Sequence, residues 1–126
     1  MNALHKLEES GDTAAMVDCF AEQSETHAMA ARRDHTGRDG AEKFWNEYRG
    51  QFDKVHSDFS KATVEGNVAV LEWTGKGTLK GTGGKPDRDI SYEGCSILHF
   101  NDAGKVERFR TFYDSAAFIS VEADTK

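Results

Sequence analysis

The chain has 126 residues and a formal net charge of −6, with 16 lysines and arginines against 22 aspartates and glutamates. This length suffices for one domain, residues 1–126, that buries a core without disulfides or a structural metal. The acidic balance argues against a nucleic-acid or anionic-membrane surface, because either partner requires a basic patch. We therefore expect a small molecule or another protein as the partner.

The two cysteines, Cys19 and Cys95, lie far apart and form no CxxC pair, which is typical of buried thiols in a reducing compartment. No apolar run has the length of a signal peptide at the N-terminus or of a membrane span further on. The sequence therefore predicts a cytoplasmic protein. No HExxH motif or other metal-ligand spacing occurs, so neither a metal nor another cofactor is predicted.

The first third of the chain carries helical patterns. Leu4 and Leu7 begin a short helix that Gly11 interrupts, and Asp12 is placed to cap a second helix. The weak alternation over residues 24–33 favours a strand. In the second helix, the spacing i, i+3, i+4 and i+7 predicts one buried stripe that contains Thr13, Met16, Val17 and Phe20.

The longest predicted helix begins near Asp39. Asp39 and Glu42 have the spacing of a capping box, which is typical of a helix start. Beyond them, a stripe of almost entirely aromatic residues recurs at helical spacing. It contains Ala41, Phe44, Trp45, Tyr48 and Phe52.

From Val55 onward the pattern indicates antiparallel strands. Glu65-Gly66-Asn67 predicts a hairpin turn, residues 81–86 a looser loop, and residues 101–104 the turn of a long final hairpin. Helices followed by strands predict an α+β fold, with the helices on one side of a strongly bent antiparallel sheet.

Five short motifs together resemble one family. They are Gly11-Asp12, Phe20-Ala21-Glu22, Gly37-Arg38-Asp39, Glu72-Trp73 and Phe112-Tyr113-Asp114. The pattern is similar to the SnoaL-like branch of the NTF2-like superfamily, which includes ketosteroid isomerases, limonene epoxide hydrolases and polyketide cyclases. The resemblance implies a cone-shaped NTF2-like barrel, N-terminal helices on the concave face of the sheet, a ligand pocket between them, and a homodimer through the convex face.

The groups that relatives use for catalysis differ in this chain. On a gap-free comparison, the oxyanion tyrosine and the general-base aspartate of ketosteroid isomerases fall on Leu4 and Ala28, and their protonated aspartate falls on Ser96. The last-strand acid of epoxide hydrolases and aldol-type cyclases falls on Thr111. The comparison therefore argues against the steroid isomerase mechanism. It also weakens the case for the epoxide hydrolase and aldol-type cyclase mechanisms.

Glu72 is the candidate catalytic residue. The same comparison implies that Glu72 and Thr74 face the pocket, whereas Leu71 and Trp73 face away from it. Desolvation among aromatic rings disfavours a carboxylate and can poise a carboxyl group as a general acid or base. The alternative is a structural glutamate that binds Arg110 or a backbone amide. The expected ligand-binding residues are Met16, Phe20, Trp45, Thr74, Tyr92, Ser96, Phe109, Thr111 and Tyr113.

Three further polar residues are candidates for a functional role, and each also has a purely structural interpretation. His27 adjoins the position of the missing general base, but its alternation with Met29 indicates that it faces away. His35 lies in a charged segment near the expected pocket mouth, where either a ligand contact or a solvated loop is possible. Asp114 is interpreted as the cap of a helical turn.

Two classes of function remain open. One is a SnoaL-like pocket protein that binds a small apolar or aromatic molecule and turns it over as an isomerase, cyclase or hydratase, with Glu72 as acid or base. The other is a non-catalytic ligand-binding or dimerisation module, in which the aromatic stripe is only core. Leu71, Trp73 and Phe112, placed on the outer face, predict the homodimer.

Overall fold

The structure is a computed structural model that describes residues 2–29, 33–81, 83–114 and 116. Its elements, in chain order, are α1 (Asn2–Ser10), α2 (Ala14–Asp18), β1 (Phe20–Ala28), β2 (Arg33–Thr36), α3 (Gly37–Gly50), β3 (Phe52–Glu65), β4 (Val68–Leu79), β5 (Arg88–Phe100) and β6 (Val106–Tyr113). The six strands form one curved, unclosed sheet in the order β2-β1-β6-β5-β4-β3. Neighbouring strands are antiparallel except for β1 and β6, which are parallel. The predicted α+β class and bent sheet are confirmed.

The two N-terminal helices form where the sequence predicted, with one difference in length. The N-cap of α2 is Thr13, one residue after the predicted cap, and it makes no side-chain capping bond. Asp12 instead accepts a hydrogen bond from the Ala14 backbone N–H at 2.9 Å, just before the helix. Helix α2 ends at Asp18, and Phe20 begins β1, where it pairs with Val106. The prediction that Phe20 lies on a helical stripe was therefore wrong, because the helix ends at Asp18 and Phe20 pairs in the sheet.

Helix α3 buries the predicted aromatic stripe, but its ends differ from the prediction. It begins at Gly37, and its N-cap residue Thr36 makes no side-chain capping bond, so the expected capping-box start at Asp39 was wrong. The helix ends at Gly50, and Phe52 belongs to β3. The Phe52 ring still packs against Tyr48, with ring centroids 5.4 Å apart, which explains why it continued the helical spacing.

Turn residues place the hairpins as predicted. Gly66 has φ of 59° between β3 and β4, a left-handed conformation that suits glycine. Between β5 and β6, the Asn101 side-chain oxygen accepts hydrogen bonds from the backbone N–H groups of Ala103 and Lys105, both at 3.0 Å. The predicted strand over 24–33 coincides in part with β1, and residues 30–32 lie outside the described residues.

The core lies between the helices and the concave face of the sheet. The rings of Phe44 and Trp45 from α3 pack against Phe109 of β6, with centroids 6.0 Å and 5.4 Å apart. Leu7 of α1 is completely buried in the same cluster. Among the described helices, none has both the length and the apolar character to cross a membrane.

Candidate functional site

A cavity of about 310 Å³ opens between the helices and the concave face of the sheet. Ligand-binding clefts in proteins typically measure about 300 to 1,000 Å³, so this cavity has the size of a small-molecule site. Its walls carry no lysine, arginine, histidine, aspartate or glutamate among the described residues. The lining residues are Ala3, Leu4, Met16, Cys19, Phe20, Phe44, Trp45, Tyr48, Ser57, Phe59, Ala69, Leu71, Trp73, Ser96, Leu98, Phe100, Val106, Phe109, Thr111 and Tyr113.

Most residues expected at the pocket from the sequence line this cavity. Thr74 does not line it, and Tyr92 lies buried against the ring of Trp73, at a centroid distance of 5.7 Å. Contact with a ligand stays a prediction for the residues that the structure brings together here: Met16, Phe20, Trp45, Ser96, Phe109, Thr111 and Tyr113.

The predicted orientation of β4 was wrong by one residue. Leu71 and Trp73 line the cavity, whereas Glu72 and Thr74 lie on the opposite face of the strand, where Glu72 is exposed and Thr74 is half-buried. Trp73 pairs with Gly94 on β5. A Cβ atom on Gly94 would lie 2.5 Å from a carbon of the Trp73 ring, so the indole occupies the space that a side chain would fill. The general acid or base role proposed for Glu72 required the cavity wall, and the structure does not place it there.

A short hydrogen-bond chain crosses three strands at the cavity wall. The indole N–H of Trp73 donates to the Ser96 hydroxyl oxygen at 3.1 Å, and the Ser96 and Thr111 hydroxyl oxygens lie 3.1 Å apart. These three side chains are buried, and their hydrogen bonds satisfy polar atoms that would otherwise be costly inside the core. Ser96 and Thr111 therefore give an apolar cavity one polar strip.

Two buried tyrosines face each other beside the cavity. The hydroxyl groups of Tyr48 and Tyr92 are hydrogen-bonded to each other. Burial is the largest cause that raises the pKa of both phenols above the ordinary tyrosine value, and the negative charge of Glu8 raises it further. Both phenols are therefore neutral near pH 7 and serve as hydrogen-bonding groups.

Glu8 is the functional candidate that the sequence analysis missed. This residue of α1 is only 2% exposed, and its two carboxylate oxygens accept hydrogen bonds from Ser57 of β3. The Ser57 backbone N–H lies 3.1 Å from Oε1, and the Ser57 hydroxyl lies 2.6 Å from Oε2. Leu4, Leu7 and Glu8 have the i, i+3, i+4 spacing of one helical stripe, which was the available signal. Since Ser57 lines the cavity, it connects the Glu8 carboxylate to the site.

Two histidines, His5 and His56, flank Glu8, but their rings are not oriented to bind one metal ion together. Possible ligand atoms of His5, Glu8 and His56 lie within 4.8 Å of one another. However, the two imidazole rings are stacked, with centroids 4.9 Å apart and an angle of 16° between their planes. Nitrogen lone pairs lie in the ring plane, so two stacked rings cannot aim both at one ion. His5 Nε2 lies 3.0 Å from the Ser57 carbonyl oxygen, which indicates that the cluster holds α1 against β3.

The remaining polar candidates lie outside the cavity. His27 Nδ1 lies 2.6 Å from Asp34 and Nε2 lies 3.1 Å from Glu25, so the ring binds two carboxylates and faces away from the cavity as expected. His35 belongs to β2 and not to a loop, and its ring lies 6.2 Å from that of Phe44. The Asp114 carboxylate accepts a hydrogen bond from the Ala116 N–H at 3.0 Å, which agrees with the predicted cap.

Comparisons with known proteins agree with this architecture. The sequence model of the SnoaL-like domain matches residues 2–109. A proposed SnoaL-like polyketide cyclase from Shewanella denitrificans OS-217 superposes with a TM-score of 0.78 at 16% identity, covering 98% of this chain and 93% of that chain. An NTF2-like protein from Anabaena variabilis ATCC 29413 gives a TM-score of 0.78 at 12% identity, covering 92% and 84%.

A third solved structure differs in that it holds a small molecule. It is a protein with a ketosteroid isomerase-like fold from Catenulispora acidiphila DSM 44928, in complex with trimethylamine. Its TM-score is 0.74 at 15% identity, covering 91% of this chain and 87% of that chain. At such low identity these likenesses show a shared fold. No curated protein matched the sequence.

Proposed function

Because this chain belongs to the SnoaL-like domain family, as the match over residues 2–109 shows, we propose that its cavity binds a small, mostly apolar molecule. The observation that carries the proposal is the cavity of about 310 Å³ with walls of aromatic and aliphatic side chains. A few hydroxyl groups, including those of Ser57, Ser96 and Thr111, supply the polar contacts that would orient the ligand. The relative from Catenulispora acidiphila, in complex with the small molecule trimethylamine, agrees with a ligand of this kind.

Binding is better supported than turnover as an isomerase, cyclase or hydratase. Glu72 is exposed on the outer face, and the described cavity wall holds no carboxyl or imidazole group. The proposed polyketide cyclase activity of one structural relative is a property suggested for that protein and is not transferred by a shared fold. A reaction in this cavity would have to use hydroxyl groups or the Glu8 carboxylate behind Ser57.

A cavity-filling variant tests the proposal directly. We expect thermal-shift screening with ketones, lactones and aromatic compounds to find ligands, and titration calorimetry to measure their affinity. Leu71→Trp should fill the cavity and abolish binding while the protein still unfolds cooperatively. Val64→Trp is the matched control, because Val64 is 70% exposed, and it should bind as the unmodified protein does. Unchanged binding in Leu71→Trp would place the ligand elsewhere and refute the proposal.

We also propose that the outer face of the sheet pairs with a second copy of the chain. Phe112 of β6 and Cys95 and Ile97 of β5 are half-buried on the face opposite the cavity. Leu71 and Trp73 do not contribute, because both line the cavity, which corrects the set of residues predicted for this surface. Burying apolar side chains against a symmetric copy would stabilise a dimer.

A further inference from the structure

The Glu8 carboxyl group is buried, and the neighbouring Arg49 Nε–H donates to the Glu8 backbone carbonyl oxygen at 2.9 Å and not to the carboxyl group. The Glu8 side chain is 1% exposed, and the part of the chain that the structure describes places no lysine or arginine within ion-pair distance of it. The nearest cationic candidate is His56, whose Nδ1 lies 3.9 Å from Oε1 and whose side chain is 59% exposed. A buried carboxylate is costly unless hydrogen bonds and an opposite charge compensate it. Ser57 supplies hydrogen bonds but no charge.

The hydrogen bond to Glu8 also fixes the direction in which the Ser57 hydroxyl donates its proton. A serine hydroxyl has one proton to donate, and at 2.6 Å this proton is directed to the Glu8 carboxylate. The hydroxyl oxygen keeps acceptor capacity at the cavity wall, to which Ser57 belongs. A ligand that contacts this oxygen must therefore bring an N–H or O–H donor.

Aromatic rings form much of the remaining wall. Their faces carry a negative electrostatic potential that attracts organic cations, with Trp and Tyr the most favourable. The described lining includes no lysine or arginine that would repel a cation. The rings at the wall belong to Phe20, Phe44, Trp45, Tyr48, Phe59, Trp73, Phe100, Phe109 and Tyr113.

From these three features we propose that the ligand is a small protonated amine with apolar substituents. Its ammonium group donates a hydrogen bond to the Ser57 hydroxyl oxygen, its charge is balanced by Glu8 behind that serine, and its apolar part lies against the aromatic wall. This inference rests on the proposed binding function and names the chemical class of the ligand. It makes Glu8 and Ser57 the determinants of specificity.

Benzylamine and benzyl alcohol test this inference as a charged and a neutral probe of similar shape. Calorimetric titrations of both probes are run at about pH 8, where a primary amine is ordinarily protonated. We expect the unmodified protein to bind benzylamine more tightly than benzyl alcohol, on the order of 10-fold or more. Glu8→Gln should abolish this preference by weakening amine binding, whereas alcohol binding is retained.

Glu9→Gln provides the matched control, because Glu9 is the exposed neighbour on the same helix and the substitution changes the net charge equally. It should leave the preference for benzylamine unchanged. If Glu8→Gln fails to fold, Ser57→Ala, which keeps the carboxylate but removes the acceptor, should also reduce the preference.

The outcomes separate this inference from the proposed function. Equal affinity for the two probes in the unmodified protein, or a preference that survives both Glu8→Gln and Ser57→Ala, overturns the amine inference. Binding of neutral compounds alone leaves the proposed function standing and refutes only the amine. Failure of every charged and neutral probe to bind refutes both.

Discussion

Buried polar side chains around the cavity work in pairs that come from distant parts of the chain. Tyr48 of α3 meets Tyr92 of β5, and Glu8 of α1 meets Ser57 of β3. Neither pair could be predicted from the sequence, because the helical stripe shows which side chains are buried but not which hydroxyl stands opposite. The stripe on α3 nevertheless identified Tyr48 as inward-facing, and the same spacing was present for Glu8.

The tyrosine pair predicts a loss of stability in alkali. The folded state raises the pKa of both phenols, so above about pH 10 it retains protons that the unfolded chain releases. The free energy of unfolding should therefore be at its full value below about pH 10 and fall as the pH rises further. Urea denaturation between about pH 8 and 11 measures this dependence.

The double variant Tyr48→Phe/Tyr92→Phe is the control for the alkaline effect. Removing both hydroxyl groups leaves no unpaired partner from this hydrogen bond, so the variant should fold. Its free energy of unfolding should decline less steeply above about pH 10 than that of the unmodified protein. Parallel curves for the two proteins would show that other groups cause the alkaline loss.

Strand β4 is an element whose existence the sequence pattern predicted but whose orientation it did not determine. Alternation predicted a strand here, and the turn at Gly66 fixed its start. The orientation could not be read from the strand itself, because Val68 and Val70 make one face apolar while Ala69 and Leu71 make the other apolar as well. Pairing with β5 decides the question, since glycine at position 94 leaves room for an indole only on the cavity side.

Adjacent substitutions on β4 test this orientation. Trp73→Ala should lower the free energy of unfolding by about 3 to 5 kcal/mol, because it removes a buried ring and leaves a cavity. Glu72→Ala, one residue away on the outer face, should change it by less than about 0.5 kcal/mol. Trp73→Ala should also lower ligand affinity more than Glu72→Ala does. A larger effect from Glu72→Ala than from Trp73→Ala would reverse the assignment of the two faces.

The sequence motifs predicted the fold family of the molecule better than they predicted which residues line its cavity. Helix order, turn residues and the last hairpin all correspond to the curved sheet that the structure shows. Those features depend on local patterns, which a single sequence contains. The site depends on which faces of six strands meet three helices, and a shift of one residue on β4 moved Glu72 from the expected cavity wall to the outer surface.

The proposed dimer is a property of the whole molecule. Sedimentation equilibrium at tens of micromolar, about the range in which weak dimers dissociate, should give twice the mass of the 126-residue chain. Phe112→Glu should shift the protein toward monomers by placing a charge in the interface, whereas Val64→Glu at the exposed end of the β3–β4 hairpin should not. A monomer at these concentrations would contradict the proposal.

The parallel pairing of β1 with β6 sets an order for folding. Strands β3 to β6 are each joined to the next by a hairpin, so their pairing closes only short loops. In contrast, Phe20 of β1 pairs with Val106 of β6, which lies far away in the sequence. Long loop closure is entropically costly and slows folding. We expect amide protons of the β3–β4–β5 meander to gain protection from exchange before those of β1 in a pulse-labelled refolding experiment. During synthesis, β1 would leave the ribosome well before its partner strand, and the two could pair only after β6 (Val106–Tyr113) has also emerged.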